Sequence, residues 1–423
     1  MQPNEKLLSS PKLYFEVAKI YRLILNGLSI SRLNLEHIPS QQIPLANHFI
    51  YEVIRWHHRM SWQLEQVASS DVNKWDPLVR CLINLGICLL QQSDKPDYAV
   101  VNNCVEATKL IPRSHAGGLT NGCLRNFIRS KDLRKASLMP EEALFSHPKW
   151  LIDLFKSEFP DKWKNICEGN NERAPLFLRV NTKNINVHDY MHLLDNAKIL
   201  YEPDSVNGPM IMLTKPLSKK TLPGYADGLV SIQDASSQLV VNALDIKKND
   251  RVLDMCASPG GKTSYLLERE DIDLLALEVD ERRKQELDKN LERLKLICKT
   301  LRIDAREVIT WKGSQHFDHI LLDAPCSGIG VVRRYPDIKI HRRREDIMSS
   351  CEIQRELMCS GWQVLKKGGT LVYSVCTITK TETIDLVLDF LESQPDASLI
   401  ETKLILPSES GMNGFYYAKL GKR

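Results

Sequence analysis

Two cysteines each follow an apolar run that ends in a loop: Cys326 in Asp323-Ala324-Pro325-Cys326-Ser327-Gly328 and Cys376 in Tyr373-Ser374-Val375-Cys376-Thr377. A thiolate is an intrinsically strong nucleophile, so a loop cysteine can carry covalent catalysis. Pro325 stiffens the first loop and Gly328 and Gly330 free its continuation, which suits a substrate-facing turn better than a packed interior. Most cysteines are inert packing residues, the fate expected for Cys81, Cys88, Cys298 and Cys359. On residue type alone either loop cysteine can be the nucleophile.

A second constellation precedes them. The stretch Val252-Leu253-Asp254-Met255-Cys256-Ala257-Ser258-Pro259-Gly260-Gly261-Lys262-Thr263 reads as a strand, a glycine turn and the start of a helix. Adjacent glycines let a ligand approach the backbone, and the free N–H groups of the helix start favour a carboxylate. The pattern is neither the G-x-G-x-x-G of dinucleotide folds nor a phosphate-binding P-loop. Acidic residues then recur at the ends of successive apolar runs: Glu278, Asp304 and Asp323. A carboxylate at the end of the second strand is placed to accept hydrogen bonds from ribose hydroxyls, so a nucleoside-bearing cofactor follows. Asp280 competes with Glu278 as cap of the next helix.

These residues need a scaffold. Beyond Val230, short apolar strands near Val252, Leu275, Leu301, Ile320 and Leu371 alternate with amphipathic helices such as the one carrying Leu287, Leu291 and Leu294. That alternation predicts βαβ units and a doubly wound, largely parallel sheet with its ligands at the carboxyl ends of the strands. Upstream, helical periodicity dominates, with Leu13, Val17, Ile20 and Ile24 on one face and Leu78, Cys81, Leu85 and Leu89 on another. Asp76 and Pro77 form a start signal for the second of these helices. Between the two regions lie a helix around Trp150–Phe155 and extended runs at Leu176–Val180 and Met210–Leu213, bounded by Pro and Gly. The expected organisation is an all-α domain over residues 1–138, a small α+β linker domain over 139–229 and a Rossmann-like α/β domain over 230–423.

A chain of 423 residues fits about three domains at roughly 150 residues each. Eleven cysteines, an odd number without a C-x-x-C pair, argue against a disulfide framework and against a zinc site. No secretory leader pattern is present, nor an apolar run approaching the ~20 residues that span a bilayer. The expectation is a cytoplasmic protein that binds neither membrane nor metal. The net charge is only +4, but Arg333, Arg334, Lys339, Arg342, Arg343 and Arg344 cluster. They read equally well as a phosphate-binding patch or a solvated helix face.

With these residues in view, the chain resembles the RNA cytosine-C5 methyltransferases of the NOL1/NOP2/Sun group, and within it the bacterial small-subunit rRNA methyltransferase B (Sun/Fmu) family. The likeness covers essentially the whole chain and is most specific at Asp254–Thr263, Asp323–Gly328 and Tyr373–Cys376. The region up to residue 138, including Gly118–Phe127, resembles that family's NusB-like RNA-binding domain. Arg179-Val180-Asn181-Thr182 and Gln233-Asp234-Ala235-Ser236-Ser237 fit its linker and domain-start motifs.

The resemblance implies S-adenosylmethionine as cofactor, contacted by Met255, Cys256, Ala257, Ser258, Pro259, Gly260, Gly261, Lys262, Glu278, Asp304 and Asp323. It implies Cys376 as nucleophile, Cys326 as the residue that assists product release, and Asp323 near the target base. The implied substrate is a specific cytosine of 16S rRNA free of most ribosomal proteins, and the implied enzyme is a monomer. The chemistry agrees, because carbon 5 of cytosine is a poor nucleophile until a thiolate adds at carbon 6. Four positions depart from the family's pattern: Val375 where threonine is common, Ser258 for alanine, and Tyr335 and Ile340 for histidine and tryptophan.

Overall fold

The computed structural model describes residues 7–112, 114–215, 217–310, 316–407 and 411–423. By their contacts they form two units, one of residues 1–172 with 332–342 and the other of 173–331 with 343–423.

The first unit is helical. In the helix Ser10–Leu25 the predicted face is buried, with Leu13, Val17, Ile20 and Ile24 all in the core. The helix Pro77–Gln92 is apolar on nearly every side and is buried along most of its length, as a central helix must be. It starts where expected, with Asp76 Oδ1 accepting from the backbone N–H of Leu78 at 2.7 Å and of Val79 at 3.3 Å. Around it pack Ile43–Arg55, His57–Val67, Asp97–Thr108 and Gly117–Arg129.

The basic segment as far as Arg342 belongs to this unit and fits neither expectation as a whole. Arg333 and Lys339 are buried. Lys339 Nζ donates to the Arg55 carbonyl at 2.6 Å and to Asn171 Oδ1 at 2.8 Å, and burial, with Arg55 beside it, pushes its pKa well down. Asp337 accepts from Ser29 Oγ and the Ile30 N–H, each at 3.0 Å, and Ile340 packs against the helical core. Carbonyl and amide partners replace water around the lysine, so this buried charge fastens the segment in place. Only Arg342, Arg343 and Arg344 are exposed.

In the second unit the chain forms β1 (Leu176–Val180), β2 (Tyr201–Asn207), β3 (Met210–Leu213) and β4 (Val230–Ile232), an antiparallel sheet of order β2-β3-β1-β4. The helix Val187–Asn196 covers it through Tyr190 and Leu194. There follow β5 (Arg251–Asp254), β6 (Asp273–Leu277), β7 (Lys299–Leu301), β8 (Phe317–Asp323), β9 (Leu365–Val375), β10 (Ala397–Ile405) and β11 (Phe415–Lys422). Their order is β10-β11-β9-β8-β5-β6-β7, parallel from β9 to β7. β11 inserts antiparallel between β9 and β10, an addition the alternation of strands and helices does not predict.

Strand side chains alternate between faces, so neighbours such as Leu253 and Val252, or Leu322 and Leu321, fall into different core clusters. Trp362 and Phe390 cover one face, and Leu266 and Leu287 the other. A sheet buried on both sides explains why its strands read as continuous apolar runs.

Candidate active site

The order of the sheet reverses between β5 and β8, because β6 and β7 lie on one side of β5 and β8 and β9 on the other. Side chains just past the carboxyl ends at such a switch point border a crevice. Here the crevice is a cavity of about 450 Å³ lined by Met255, Cys256, Ser258, Glu278, Asp304, Asp323, Cys326 and Cys376 among others. Eight of the predicted site residues therefore line one cavity. Ala257, Pro259, Gly260, Gly261 and Lys262 stand behind it and shape the turn.

Gly260 is required by conformation: its φ is +92°, and a Cβ would meet Leu287 Cδ1 at 2.7 Å. The turn is anchored from beneath by Arg179 of β1, which is wholly buried. Its guanidinium donates to both oxygens of Glu268 at 2.9 and 2.8 Å, to Ser264 Oγ at 2.8 Å, to the Gly261 carbonyl at 2.7 Å and to Gln233 Oε1. A planar fork with five donors suits this place, where four separate partners are arranged around it and a lysine has only three donors on one atom.

Asp280 caps the helix Glu281–Leu294 by accepting from the Arg283 N–H at 2.9 Å, which resolves its competition with Glu278. Glu278 is then free for another task. Its Oε1 accepts from the Asp280 N–H at 3.0 Å, whereas its buried Oε2 makes no hydrogen bond and has only the Arg283 guanidinium, with Nε 3.5 Å away, as an ion-pair partner. Asp254 Oδ1 is likewise unpartnered, while Oδ2 accepts from Thr263 at 2.8 Å. Burial pushes the Asp254 carboxyl up to about 7. Asp304 differs, because Arg306 clamps it with a shortest contact of 2.6 Å and holds its pKa down.

The thiols sit together on the opposite side. Cys326 Sγ and Cys376 Sγ are 3.4 Å apart, a hydrogen-bonding distance and far longer than a disulfide. The hydrogen bond to Cys376, then burial, pushes the Cys326 thiol well above its ordinary range. Cys256 lines the same cavity, but burial and the carboxyl groups of Asp254, Asp323 and Glu278 also push its thiol up. Asp323 Oδ2 accepts from Lys262 Nζ at 2.6 Å, and Oδ1 from Ser374 Oγ at 2.9 Å.

One residue escaped the sequence reading. Glu382 is fully buried between the two cysteine loops. Its Oε1 accepts from the Ser327 N–H at 2.8 Å and Gln354 Nε2 at 3.1 Å. Its Oε2 accepts from the hydroxyls of Ser327 at 2.5 Å, Thr379 at 2.9 Å and Thr377 at 3.1 Å. Thus one carboxylate holds the residue after each cysteine. The available signal was the run Thr377-Ile378-Thr379-Lys380-Thr381-Glu382, with hydroxyls spaced around a single acid. Gly330 adds a second tie, its N–H donating to the Cys376 carbonyl at 3.1 Å. A Cβ on Gly330 would lie 2.2 Å from the Gly414 carbonyl oxygen, so close backbone approach dictates glycine there.

Among the described residues, no group of three or more metal-ligating side chains is present, and no helix is long and apolar enough to cross a membrane.

Comparison with known proteins gives three family matches along the chain. Residues 14–129 match the NusB family, residues 147–219 the RsmF/B-like ferredoxin-like domain, and residues 241–421 the 16S rRNA methyltransferase RsmB/F family. The chain is 37% identical over 417 residues to the ribosomal RNA small subunit methyltransferase B of Vibrio cholerae, covering 96% of each. The crystal structure of PH0851 matches 99% of this chain and 100% of its own, with a TM-score of 0.82 at 24% identity. A methyltransferase homologue from Pyrococcus horikoshii, 30% identical, covers 68% of this chain and 100% of its own with a TM-score of 0.61.

Proposed function

Because the chain belongs to the ribosomal RNA small subunit methyltransferase B family, an S-adenosylmethionine-dependent family acting on small-subunit rRNA, we propose that it methylates carbon 5 of a specific cytosine of 16S rRNA through a covalent adduct with Cys376. The carrying observation is the pair of thiols 3.4 Å apart on the wall of the cavity that also holds Asp323 and Glu278.

The site fits the cofactor. The Glu278 carboxylate, which lines the cavity with Oε2 free of hydrogen bonds, suits a ribose hydroxyl, and the glycine turn behind Met255 and Ser258 would bring backbone close to the ligand. Asp304, already neutralised by Arg306, borders the cavity where a base edge would lie. S-adenosylmethionine supplies an electrophilic methyl group on a sulfonium centre.

The remaining chemistry falls to the chain. The Cys376 thiolate adds to carbon 6 of the cytosine, which makes carbon 5 electron-rich enough to take the methyl. Asp323, held by Lys262 and Ser374, would accept from the exocyclic amine and from the proton that N3 takes up, equivalent to the one Cys376 gives up, as the thiolate adds. The carbon 5 proton must then leave so that the bond to Cys376 breaks, and Cys326, in contact with Cys376, assists this release. The target base must be unstacked to enter.

The test is transfer of labelled methyl to protein-free 16S rRNA by wild type, Cys376→Ala and Cys326→Ala, with products resolved on a denaturing protein gel. Cys376→Ala abolishes transfer, and Cys326→Ala accumulates RNA-linked protein. An active Cys376→Ala variant overturns the nucleophile assignment, and label on any atom but carbon 5 overturns the reaction.

A further inference from the structure

All eleven cysteines are free thiols, and six of them are buried away from solutes. Cys326 and Cys376 are partly exposed, line the catalytic cavity and lie with their sulfurs 3.4 Å apart. Two thiols in contact on the wall of an open cavity have a chemistry that methyl transfer does not use. Together they can give up two electrons and become a disulfide.

The fold holds them ready for it. β8 and β9 run parallel with Asp323 opposite Ser374, so the two loops leave the sheet side by side. Backbone bonds keep them there, from the Ala324 N–H to the Ser374 carbonyl at 2.9 Å and from the Gly330 N–H to the Cys376 carbonyl at 3.1 Å. Glu382 adds its bonds to Ser327 and Thr377, the residues after each cysteine. With the loops tied together, the sulfurs need to close by about 1.4 Å to reach the ~2.05 Å of a disulfide, a distance that side-chain rotation covers. The hydrogen bond to Cys376, followed by burial, keeps Cys326 protonated, so a thiolate on Cys376 has a thiol beside it as its first partner. A reactive cysteine next to a resolving one is the arrangement of reversible thiol oxidation.

We propose that Cys326 and Cys376 form a modification site for hydroperoxides, at which the pair is reversibly oxidised to a disulfide and methyl transfer stops. The Cys376 thiolate attacks one peroxide oxygen, the O–O bond breaks, and the other oxygen leaves with the electron pair as an alkoxide or hydroxide. Cys376 is then a sulfenic acid. Cys326 gives its proton to the departed oxyanion, its sulfur bonds to that of Cys376, and the S–O bond breaks. The hydroxide released takes up the proton that Cys376 lost at the start and becomes water. In sum, two thiols lose one electron each, the peroxide gains two, and one disulfide, one alcohol or water, and one further water result. Capture by Cys326 keeps the sulfenic acid from going on to the irreversible sulfinic acid, and a dithiol restores both thiols by exchange. The loss of turnover rests on the roles proposed for these cysteines in methylation, whereas the bond itself rests on their geometry.

The test uses the full-length protein, reduced, freed of reductant and treated with a small molar excess of hydrogen peroxide. Intact mass falls by two hydrogens, and non-reducing peptide mapping finds Cys326 linked to Cys376. Methyl transfer to protein-free 16S rRNA falls in proportion to the linked peptide and returns to its starting rate with dithiothreitol. In Cys326→Ser, Cys376 gains two oxygens at the same peroxide dose, read by mass and not reversed by dithiothreitol. Cys256→Ser still gives the Cys326–Cys376 peptide. Oxidation of wild-type Cys376 to sulfinic acid without that peptide overturns the proposal, as does a link to Cys256 in its place or no oxidation of either cysteine. Reduced wild type that forms the link reversibly but transfers no methyl overturns the proposed reaction and leaves the modification site standing.

Discussion

The two sides of the catalytic cavity are built on opposite plans. On the side of Glu278 and Asp254, buried carboxyl oxygens are left without donors. On the side of the cysteines, the buried carboxylate of Glu382 accepts from five donors. An unsatisfied buried oxygen costs stability until a ligand arrives, whereas a satisfied one holds its neighbours in place beforehand. In the proposed reading, the side of Glu278 is completed by the cofactor it binds, and the thiol side is set before binding. The order suits a reaction in which sulfur, base and methyl must align within a fraction of an ångström.

Breaking the satisfied side has the largest expected effect. Glu382→Ala strips the acceptor from five donors and lets the loops after β8 and β9 part, so methyl transfer falls about 100-fold. Denaturant melting shows a loss of about 3 kcal/mol, the scale of removing one member of a buried charged network. Affinity for S-adenosylmethionine, measured calorimetrically below the melting range, stays near wild type. A folded Glu382→Ala protein with wild-type transfer would separate this network from catalysis.

The same operation on the other side inverts the pattern. Glu278→Gln keeps an oxygen for the Asp280 N–H but weakens the waiting acceptor, so cofactor affinity falls about 10- to 100-fold. Stability of the ligand-free protein changes little, because the substitution removes a buried charge without loss of a made hydrogen bond and gives up only a long ion pair with the half-exposed Arg283. If Glu278→Gln instead loses as much stability as Glu382→Ala, the two sides are not different in kind.

Much of this site was legible because its signals are local. The apolar runs ending in Asp254, Glu278 and Asp323 are strands of a sheet buried on both faces, and the loop residues Cys326 and Cys376 follow strands that lie side by side. The Asp76-Pro77 start also needed only neighbouring residues. What was not legible depends on partners far along the chain. Lys339 and Asp337 look like surface charges until Arg55, Asn171, Ser29 and Ile30 are brought to them. The donors of Glu382 include Ser327 and Gln354, 55 and 28 residues away. β11 pairs with β9 and β10 at once, a register set by pairing between distant segments and by no turn motif. Charge is a weak guide where the fold can supply a counterpart, and hydrophobic period is a strong one because it reports only on the segment itself.

The smallest effect sharpens the comparison through pH. The Asp254 carboxyl titrates near its ordinary value, 3.8, in the unfolded chain and at about 7 in the fold, chiefly because it is buried, with Asp323 adding to the shift and Thr263 and Lys262 opposing it. Between those two values the folded protein holds a proton the unfolded chain has lost, so this group's contribution to stability falls as pH rises through the window. Above about 7 the full penalty is in place, and below about 3.8 it is absent. Asp254→Asn retains an oxygen for the Thr263 hydroxyl and cannot ionise. Its advantage over wild type is therefore expected to be near zero at the acid end and to grow towards neutrality, with an upper bound of about 4 kcal/mol. Paired melting curves across this range read the difference directly, since the other titrating groups are common to both proteins. A difference that stays flat with pH would mean that Asp254 is ionised throughout, and the strand end beneath the glycine turn would then carry a permanent buried charge.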